Sequence, residues 1–421
     1  MFLRLLAYTA RFLLAFTFLF SGFVKAVDPM GMAYKLEAYM QAWHIGFTAD
    51  MLALQLGGLM LATVEFGLGI HLLLGMRSRF TSRATLAFML VFTLLTVYVF
   101  VANPISDCGC FGEAVVLTNG ETLCKNIVLL TAAVIVCFRV EVLRNLRFIS
   151  ERSGWLTSLY AIVFIIVLGL NSLAYLPPID FTPYRVGTDM REAMRGEYAT
   201  TFTYTKDGIT KTFDESHLPD TTWTYVDSET QTITAPQIAD FALTDTAGCD
   251  VTDAILGASG NVFLMTLPHE PSADAGSVDR INDIYDYCID HGAQIYTVTA
   301  ATACQRSHWK DLTGANYQFL QASDDIVRAM VRSNPGLLLL RQGRIIAKWS
   351  HNDLPDETVL DDVCQMSAET QMDHINRSVR HLLLIFLCPL LLLIVADKAY
   401  DVIKRKKTIK IQHHETENCS R

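Results

Sequence analysis

Six apolar segments constrain this chain most, each close to the ~20 helical residues that a bilayer core of about 30 Å requires. They run Leu5–Val24, Met51–Gly75, Ala84–Ala102, Leu123–Leu143, Trp155–Leu176 and His381–Tyr400. In hydrocarbon every backbone amide must be satisfied internally, so such runs fold as helices. Pro389 interrupts the last run, and neighbouring helices can absorb the kink. Basic flanks set the expected orientation. Arg4 and Arg11 lie at the first span, Arg77, Arg79 and Arg83 between spans two and three, and Arg139, Arg144, Arg147 and Arg152 between spans four and five. Lys404, Arg405, Lys406 and Lys407 follow span six. Six crossings put all of these on one side. Both termini are therefore expected to be cytoplasmic, in a bacterial inner membrane, with residues 25–50, 103–122 and 177–380 outside. Residues 1–26 also have the outline of a signal peptide, but Lys25-Ala26 is a poor cleavage context and removal would spoil the charge alternation.

Composition agrees with an apolar part joined to an ordinary soluble part. Half of the 421 residues are hydrophobic (51%), 18% are charged, and the mean hydropathy is +0.29. A net charge of −9 with no basic stripe argues against nucleic-acid binding. Three charges in or near the spans need partners. Lys25, at the outer end of span one, can snorkel to the surface. Arg11 and Glu65 lie at comparable depth in spans one and two and are expected to form an intramembrane ion pair. A proton or quinone site at Glu65 is the functional alternative.

Between spans three and four runs NPISDCGCFGEAVVLTNGETLCKN. Cys108 and Cys110 flank Gly109, and Cys124 opens span four. On the outer face disulfides persist. A Cys-Gly-Cys ring is strained, and strained disulfides are oxidising and labile. Cys124 lies within about two turns of a helix start, with Asn119 and Thr122 as candidate caps, where the helix dipole favours a thiolate. An exchange relay of Cys108, Cys110 and Cys124 is one reading. A fixed Cys110–Cys124 bridge pinning the loop is the other. No histidine lies near enough to complete a metal site. Cys137 and Cys388 read as packing residues, and Cys419 lies in the tail.

Spans one to four resemble the DoxX-like family, in particular its methylamine utilisation protein MauE branch. The resemblance rests on SGFVKAVDP, LATVEFGLGIHLLLGMRSR and above all DCGCFG, and covers about the first 145 residues. With the lead-in LPPIDFTPYRVGT, the whole chain resembles DoxX-like membrane proteins of Bacteroidetes. The resemblance implies a membrane-bound, redox-associated role. MauE is linked to maturation of a disulfide-rich amine dehydrogenase subunit, and DoxX relatives to electron transfer from sulfur compounds to quinone. Cys108 and Cys110 carry over from the family motif; Cys124 does not.

Residues 177–380 carry about two acids for every base, as a solvated domain does. TTFTYTKDGITKTF reads as two strands around Asp207-Gly208, and TTWTYVDSETQTI as a third. From Ile238 the pattern alternates. DFALTDTAGCDVTDAIL resembles the start of peroxiredoxin-like and thiol-reductase-like domains. NVFLMTL is a buried strand, SVDRINDIYDYCIDHG a helix with Ile281, Ile284, Tyr285 and Cys288 on one face, QIYTVTA a strand, SDDIVRAMVRS a helix, and NPGLLLLRQGRIIAKW two strands about Gln342-Gly343. That order is thioredoxin-like, with Asn334-Pro335 where such folds place a cis-proline. The Cys-x-x-Cys expected after NVFLMTL is missing; PHEPSADAGS stands there, with His269 and Glu270 as solvated loop residues. Cys304 follows a strand and can be exposed. Asn334 and Pro335 are the candidate peptide-binding residues, through strand addition. No Walker loop, dinucleotide fingerprint, HExxH or nucleophile elbow is found, and His413-His414 lacks metal partners.

The expected fold class is an α-helical polytopic membrane bundle, a four-helix core plus two further spans, with an inserted α/β thioredoxin-like soluble domain. The segments are 1–150 for the four-helix membrane domain, 151–178 for the fifth span, 179–235 for a small β-rich adaptor, 236–378 for the thioredoxin-like domain, and 379–421 for the sixth span and basic tail. Two functions compete: thiol–disulfide exchange or electron transfer with an exported client and a quinone, and a non-catalytic scaffold with a structural disulfide.

Overall fold

The computed structural model describes residues 2–44, 50–105, 107–206, 208–268, 273–314 and 317–419. Asp207, His269 and Glu270 lie outside the described residues. The chain divides into two compact units, residues 1–181 with 375–421, and residues 182–374.

The first unit is helical: α1 (Phe2–Val27), α2 (Pro29–Ala42), α3 (Met51–Leu74), α4 (Ser78–Ala102), α5 (Asn119–Phe138), the short α6 (Glu141–Asn145) and α7 (Glu151–Ala174). Six helices among the described residues are long and apolar enough to cross a membrane: α1, α3, α4, α5, α7 and the portion 368–404 of the last helix. Their outward faces carry apolar side chains such as Phe16, Met60, Val91, Leu94 and Val167. Surfaces of that kind face lipid rather than water, and the chain is a multi-pass membrane protein. The fourth span is shorter than the hydropathy suggested, because α5 stops at Phe138 and α6 forms a separate turn.

Glycine sets the closest helix crossing. A side chain on Gly22 of α1 would lie 2.6 Å from the Phe66 amide and 2.7 Å from the Ala62 carbonyl of α3, and one on Gly69 would strike Leu19. Small residues let membrane helices approach backbone to backbone. These contacts fix an antiparallel register in which the end of α1 faces the middle of α3, and the start of α1 faces the end of α3.

In the second unit follow α8 (Met190–Ala193), β1 (Glu197–Lys206), β2 (Ile209–Asp214) and β3 (Thr224–Thr234), which form a three-stranded antiparallel sheet in the order β2-β1-β3. Tyr204 makes edge contacts with Phe213 and Tyr225, and Phe213 with Trp223. The alternating threonines and aromatics explain both the strands and this cluster. Next come α9 (Thr252–Leu256), β4 (Asn261–Leu267), α10 (Val278–Asp290), β5 (Gln294–Thr299), α11 (Ala303–Thr313), β6 (Gln318–Gln321), α12 (Asp324–Met330), β7 (Gly336–Arg341), β8 (Arg344–Ser350) and α13 (Glu357–Gln365). Their sheet has the order β6-β5-β4-β7-β8. β4, β5 and β6 are parallel, while β7 and β8 are antiparallel to their neighbours. Parallel neighbours joined through helices and a closing hairpin make this a thioredoxin-like fold; the Asn334-Pro335 peptide before β7 is cis. Phe263, Met265, Ile281, Ile284, Cys288, Leu337, Leu339 and Trp349 form its core. Tyr287 is buried where Tyr285 was expected; Tyr285 packs at the edge.

The last helix, α14 (Ala368–Cys419), contains Pro389. Proline removes the amide that would bond to the carbonyl four residues back. That carbonyl, on Ile385, accepts from the Tyr160 hydroxyl of α7 at 2.5 Å. Cys388 is exposed on this helix rather than packed.

Candidate redox site

Gly109 has φ +66°, a left-handed conformation that glycine adopts without strain. It turns the loop so that the sulfurs of Cys108 and Cys110 lie 2.9 Å apart. A disulfide of about 2.05 Å then needs only a small closure. The Asp107 carboxylate accepts from the Gly109 amide at 3.0 Å, and the Gly109 carbonyl accepts from the Gly112 amide at 3.0 Å, which tightens the turn.

Lys25 holds the loop from below. Its ammonium donates to the Cys110 carbonyl at 2.6 Å, to Ser21 Oγ at 2.6 Å and to Glu65 at 2.9 Å. Ser21 Oγ itself donates to the Cys110 carbonyl at 2.8 Å. All three ammonium donors are thus used, as burial of a charge requires. From α5, Lys125 lies 4.1 Å from the Phe111 ring centre, and Phe20 meets the same ring edge-on.

These groups give the two thiols opposite character. The Cys108 thiol hydrogen-bonds to Cys110, and the Lys125 and Lys25 charges lie nearby, so the Cys110 thiol is drawn down to about 6 against a burial effect that opposes it. The same contact and burial push the Cys108 thiol up. The arrangement is a thiolate beside a neutral thiol, suited to nucleophilic exchange.

The pair opens onto a cavity of about 310 Å³. Its walls are largely apolar, with Phe18, Met32, Leu54, Phe88 and Trp43 among them, while Lys25, Glu65, Lys125 and Asn126 supply polar groups beside the cysteines. Ligand pockets have this volume and this balance of surfaces.

The expected ion pair, the snorkelling lysine and the helix cap are corrected. Arg11 does not pair with Glu65. Its guanidinium donates to the carbonyls of Leu72, Leu73, Val142 and Leu146 at 2.8–3.0 Å, closing the ends of α3 and α6. The antiparallel register puts Arg11 beside the end of α3 and gives Glu65 to Lys25, which is buried and does not snorkel. Cys124 is exposed on α5 and does not line the cavity; Lys125 and Asn126 do. The cap of α5 is Thr118, in a reciprocal capping box with Glu121, which leaves Cys124 beyond the first turn. In the second unit the Asn334 carbonyl accepts from the Asp274 amide at 3.1 Å and the Pro335 carbonyl from Ser333 Oγ at 2.6 Å, which ties the proline turn into its own domain. Cys304 is exposed on α11, and Cys288 is buried in the core.

Sequence reasoning gave Lys25 a different role and passed over Ser21 and Lys125. The signal for the first two was the spacing Ser21–Lys25, one helical turn on the face opposite Glu65.

The helices and this site define a multi-pass membrane protein with a cysteine pair at one end of a helical bundle. Residues 3–139 match the model of the family described as methylamine utilisation protein MauE. Residues 198–235, the three-stranded sheet, match a domain of unknown function (DUF8463). None of the curated proteins compared matches the chain. Among solved structures it is similar to a putative thioredoxin from Neisseria meningitidis, at 19% identity and TM-score 0.24 over 32% of this chain and 87% of that one. It is also similar to the bacterioferritin comigratory protein and to peroxiredoxin Q of Xanthomonas campestris, each at 15% identity and TM-score 0.23 over 32% of this chain and 92% of theirs.

Proposed function

We propose that Cys108 and Cys110 are a redox pair that oxidises the thiols of an exported protein client and so supports its maturation. The 2.9 Å approach of the two sulfurs on the wall of a ligand-sized cavity carries this reading. A client thiolate attacks the Cys108–Cys110 disulfide, forms a mixed disulfide and frees one thiol of the pair. The second client thiolate then displaces the other. The client gains a disulfide, and the pair takes up two electrons and two protons as two thiols. A quinone bound in the cavity would serve as the two-electron acceptor that restores the disulfide. Its apolar walls suit a lipid-soluble ring, and Lys125 and Asn126 carry N–H donors that can reach ring oxygens. Lys25 anchors the loop through the Cys110 carbonyl, and Lys125 supports the thiolate.

The distribution of basic residues supports placing the pair and residues 177–380 on the non-cytoplasmic side of a bacterial inner membrane. The thioredoxin-like domain lacks Cys-x-x-Cys in its sequence and serves this scheme as a docking module. That same absence favours the second reading, a scaffold whose cysteines are merely structural.

Thiol trapping in intact cells after a mild reductant distinguishes the two. The redox reading expects Cys108 and Cys110 to switch state together and return to the oxidised form, with Cys108→Ser abolishing the switch and the client's oxidation. A pair that never changes state, or a Cys108→Ser strain that loses protein level but no redox phenotype, overturns it. Quinone binding has its own test. Trp43 lines the cavity, and a short-chain quinone should quench its fluorescence in the Cys108→Ser, Cys110→Ser protein, where no redox step can occur.

A further inference from the structure

Residues 29–42, a connection in the hydropathy pattern, form a helix placed directly over the cysteine pair. Asp28 starts α2 by accepting from the Gly31 amide at 2.8 Å, with Pro29 in the first turn. Three contacts clamp it to the loop. The Lys35 ammonium lies 2.6 Å from the Asp107 carboxylate. The Lys35 stem packs over Gly109, 3.1 Å from where a side chain would begin. The Tyr39 hydroxyl donates to the Cys108 carbonyl at 3.4 Å. At its far end Trp43 contacts the rings of Tyr39 and of Tyr98 on α4. Cys108 is left only 7% exposed.

Exchange requires a free sulfur to reach the one attacked, so access limits it as much as reactivity does. Beneath α2 both sulfurs line the cavity, Cys108 buried and Cys110 partly exposed, which leaves little room for a folded protein's thiol. Yet the redox reading, on which this inference rests, requires the same pair to meet a protein client. We propose that α2 is a strap that decides which partners reach Cys108 and Cys110, and that Lys35 and Asp107 are the specificity-determining residues that latch it. With the latch closed the pair exchanges only with small molecules in the cavity. With it open a protein thiol gains access. A lysine–aspartate pair with both side chains partly exposed suits a latch, because water stands ready to replace the contact and the free-energy difference is small.

The test uses the full reduced chain in detergent, with alkylation followed cysteine by cysteine by peptide mass spectrometry. At each thiol the rate with a small uncharged maleimide is divided by the rate with a bulky charged one. The ratio cancels the intrinsic nucleophilicity of each sulfur. In the wild type the ratio at Cys108 and Cys110 is expected to exceed that at exposed Cys249 by roughly tenfold or more, as a closed local structure dictates. Lys35→Ala and Asp107→Asn should each bring it close to the Cys249 value. The charge exchange Lys35→Asp with Asp107→Lys should restore discrimination, which a variant that had simply unfolded cannot do; thermal melts accompany each measurement. A wild-type ratio equal to that of Cys249, or ratios unmoved by both single substitutions, overturns the strap. Neither outcome depends on whether the pair cycles in cells, so a failure of the redox reading is separately visible.

Discussion

Lys25 on α1 holds the carboxylate of Glu65 on α3 at 2.9 Å, with the two side chains 3% and 5% exposed. The close crossing at Gly22 makes this contact reachable, since it brings the two backbones together one turn before Lys25. Lys25 also carries the Cys110 carbonyl, so helix packing and the geometry of the cysteine loop are coupled through one ammonium.

Removing one partner of such a pair leaves an uncompensated buried charge, at a cost of about 3–5 kcal/mol. Glu65→Leu and Lys25→Met are therefore each expected to lower the melting temperature of the purified protein sharply. The double variant should recover much of the loss, because two apolar side chains need no partner. It should recover thiol switching less fully, since the Cys110 carbonyl loses the Lys25 ammonium and keeps only the Ser21 hydroxyl.

The reactivity of Cys110 should rise with pH around a midpoint near 6, far below the 9.0 of an unperturbed thiol. The sign follows from the lowered value: in the reduced protein the thiolate is the favoured form above about 6, and falling pH removes it. Between about 6 and 9 the folded state binds fewer protons at this thiol than the unfolded chain does. Its contribution to stability therefore grows with pH across that window and vanishes below it. Alkylation rates at Cys110 against pH check the midpoint. Lys125→Met should move it upward, whereas Cys124→Ser should leave it in place because Cys124 faces away from the cavity.

Gly109→Ala combines a left-handed backbone with a crowded neighbour. The conformation alone costs about 1–2 kcal/mol for a residue with a side chain, and the new methyl would press on the Lys35 stem. Urea or thermal unfolding should report the loss, and disulfide trapping should show the Cys108–Cys110 bond forming less readily.

Tyr160→Phe removes the donor that satisfies the Ile385 carbonyl left open by Pro389. The loss should be about 1 kcal/mol, within the range for hydrogen bonds between membrane helices. In a Pro389→Ala background the carbonyl regains its own helical amide, and the same substitution should cost much less. A double-mutant cycle measured by unfolding in mixed micelles gives the coupling.

Much of the fold was legible because periodicity and length are one-dimensional signals. The six spans, the strands NVFLMTL and LLLLRQGRIIAKW, and the helix from Val278 all announce themselves by spacing. The short α2, with Lys35 and Glu37 among its apolar residues, lacks the length and uniformity of a span, and only Asp28-Pro29 marked its start. The Cys-Gly-Cys motif was visible; its surroundings were not. Depth counted along each helix put Arg11 level with Glu65. The partner depends instead on where two helices touch, and Gly22 and Gly69 set that by the absence of a side chain. Cys124 and Lys125 are neighbours in sequence, yet a helix turns by about 100° per residue, so one faces away from the cavity and the other toward it.

Arg11, through its bonds to the carbonyls of Leu72, Leu73, Val142 and Leu146, has a consequence for how the bundle responds to its surroundings. A guanidinium keeps its proton at any physiological acidity and can only donate, so this rivet stays fast. Within a single helix pair, then, one extremity is fastened to backbone carbonyls alone, while the other is tied to the cysteine loop, and a change of redox state at that loop reaches the bundle through the second.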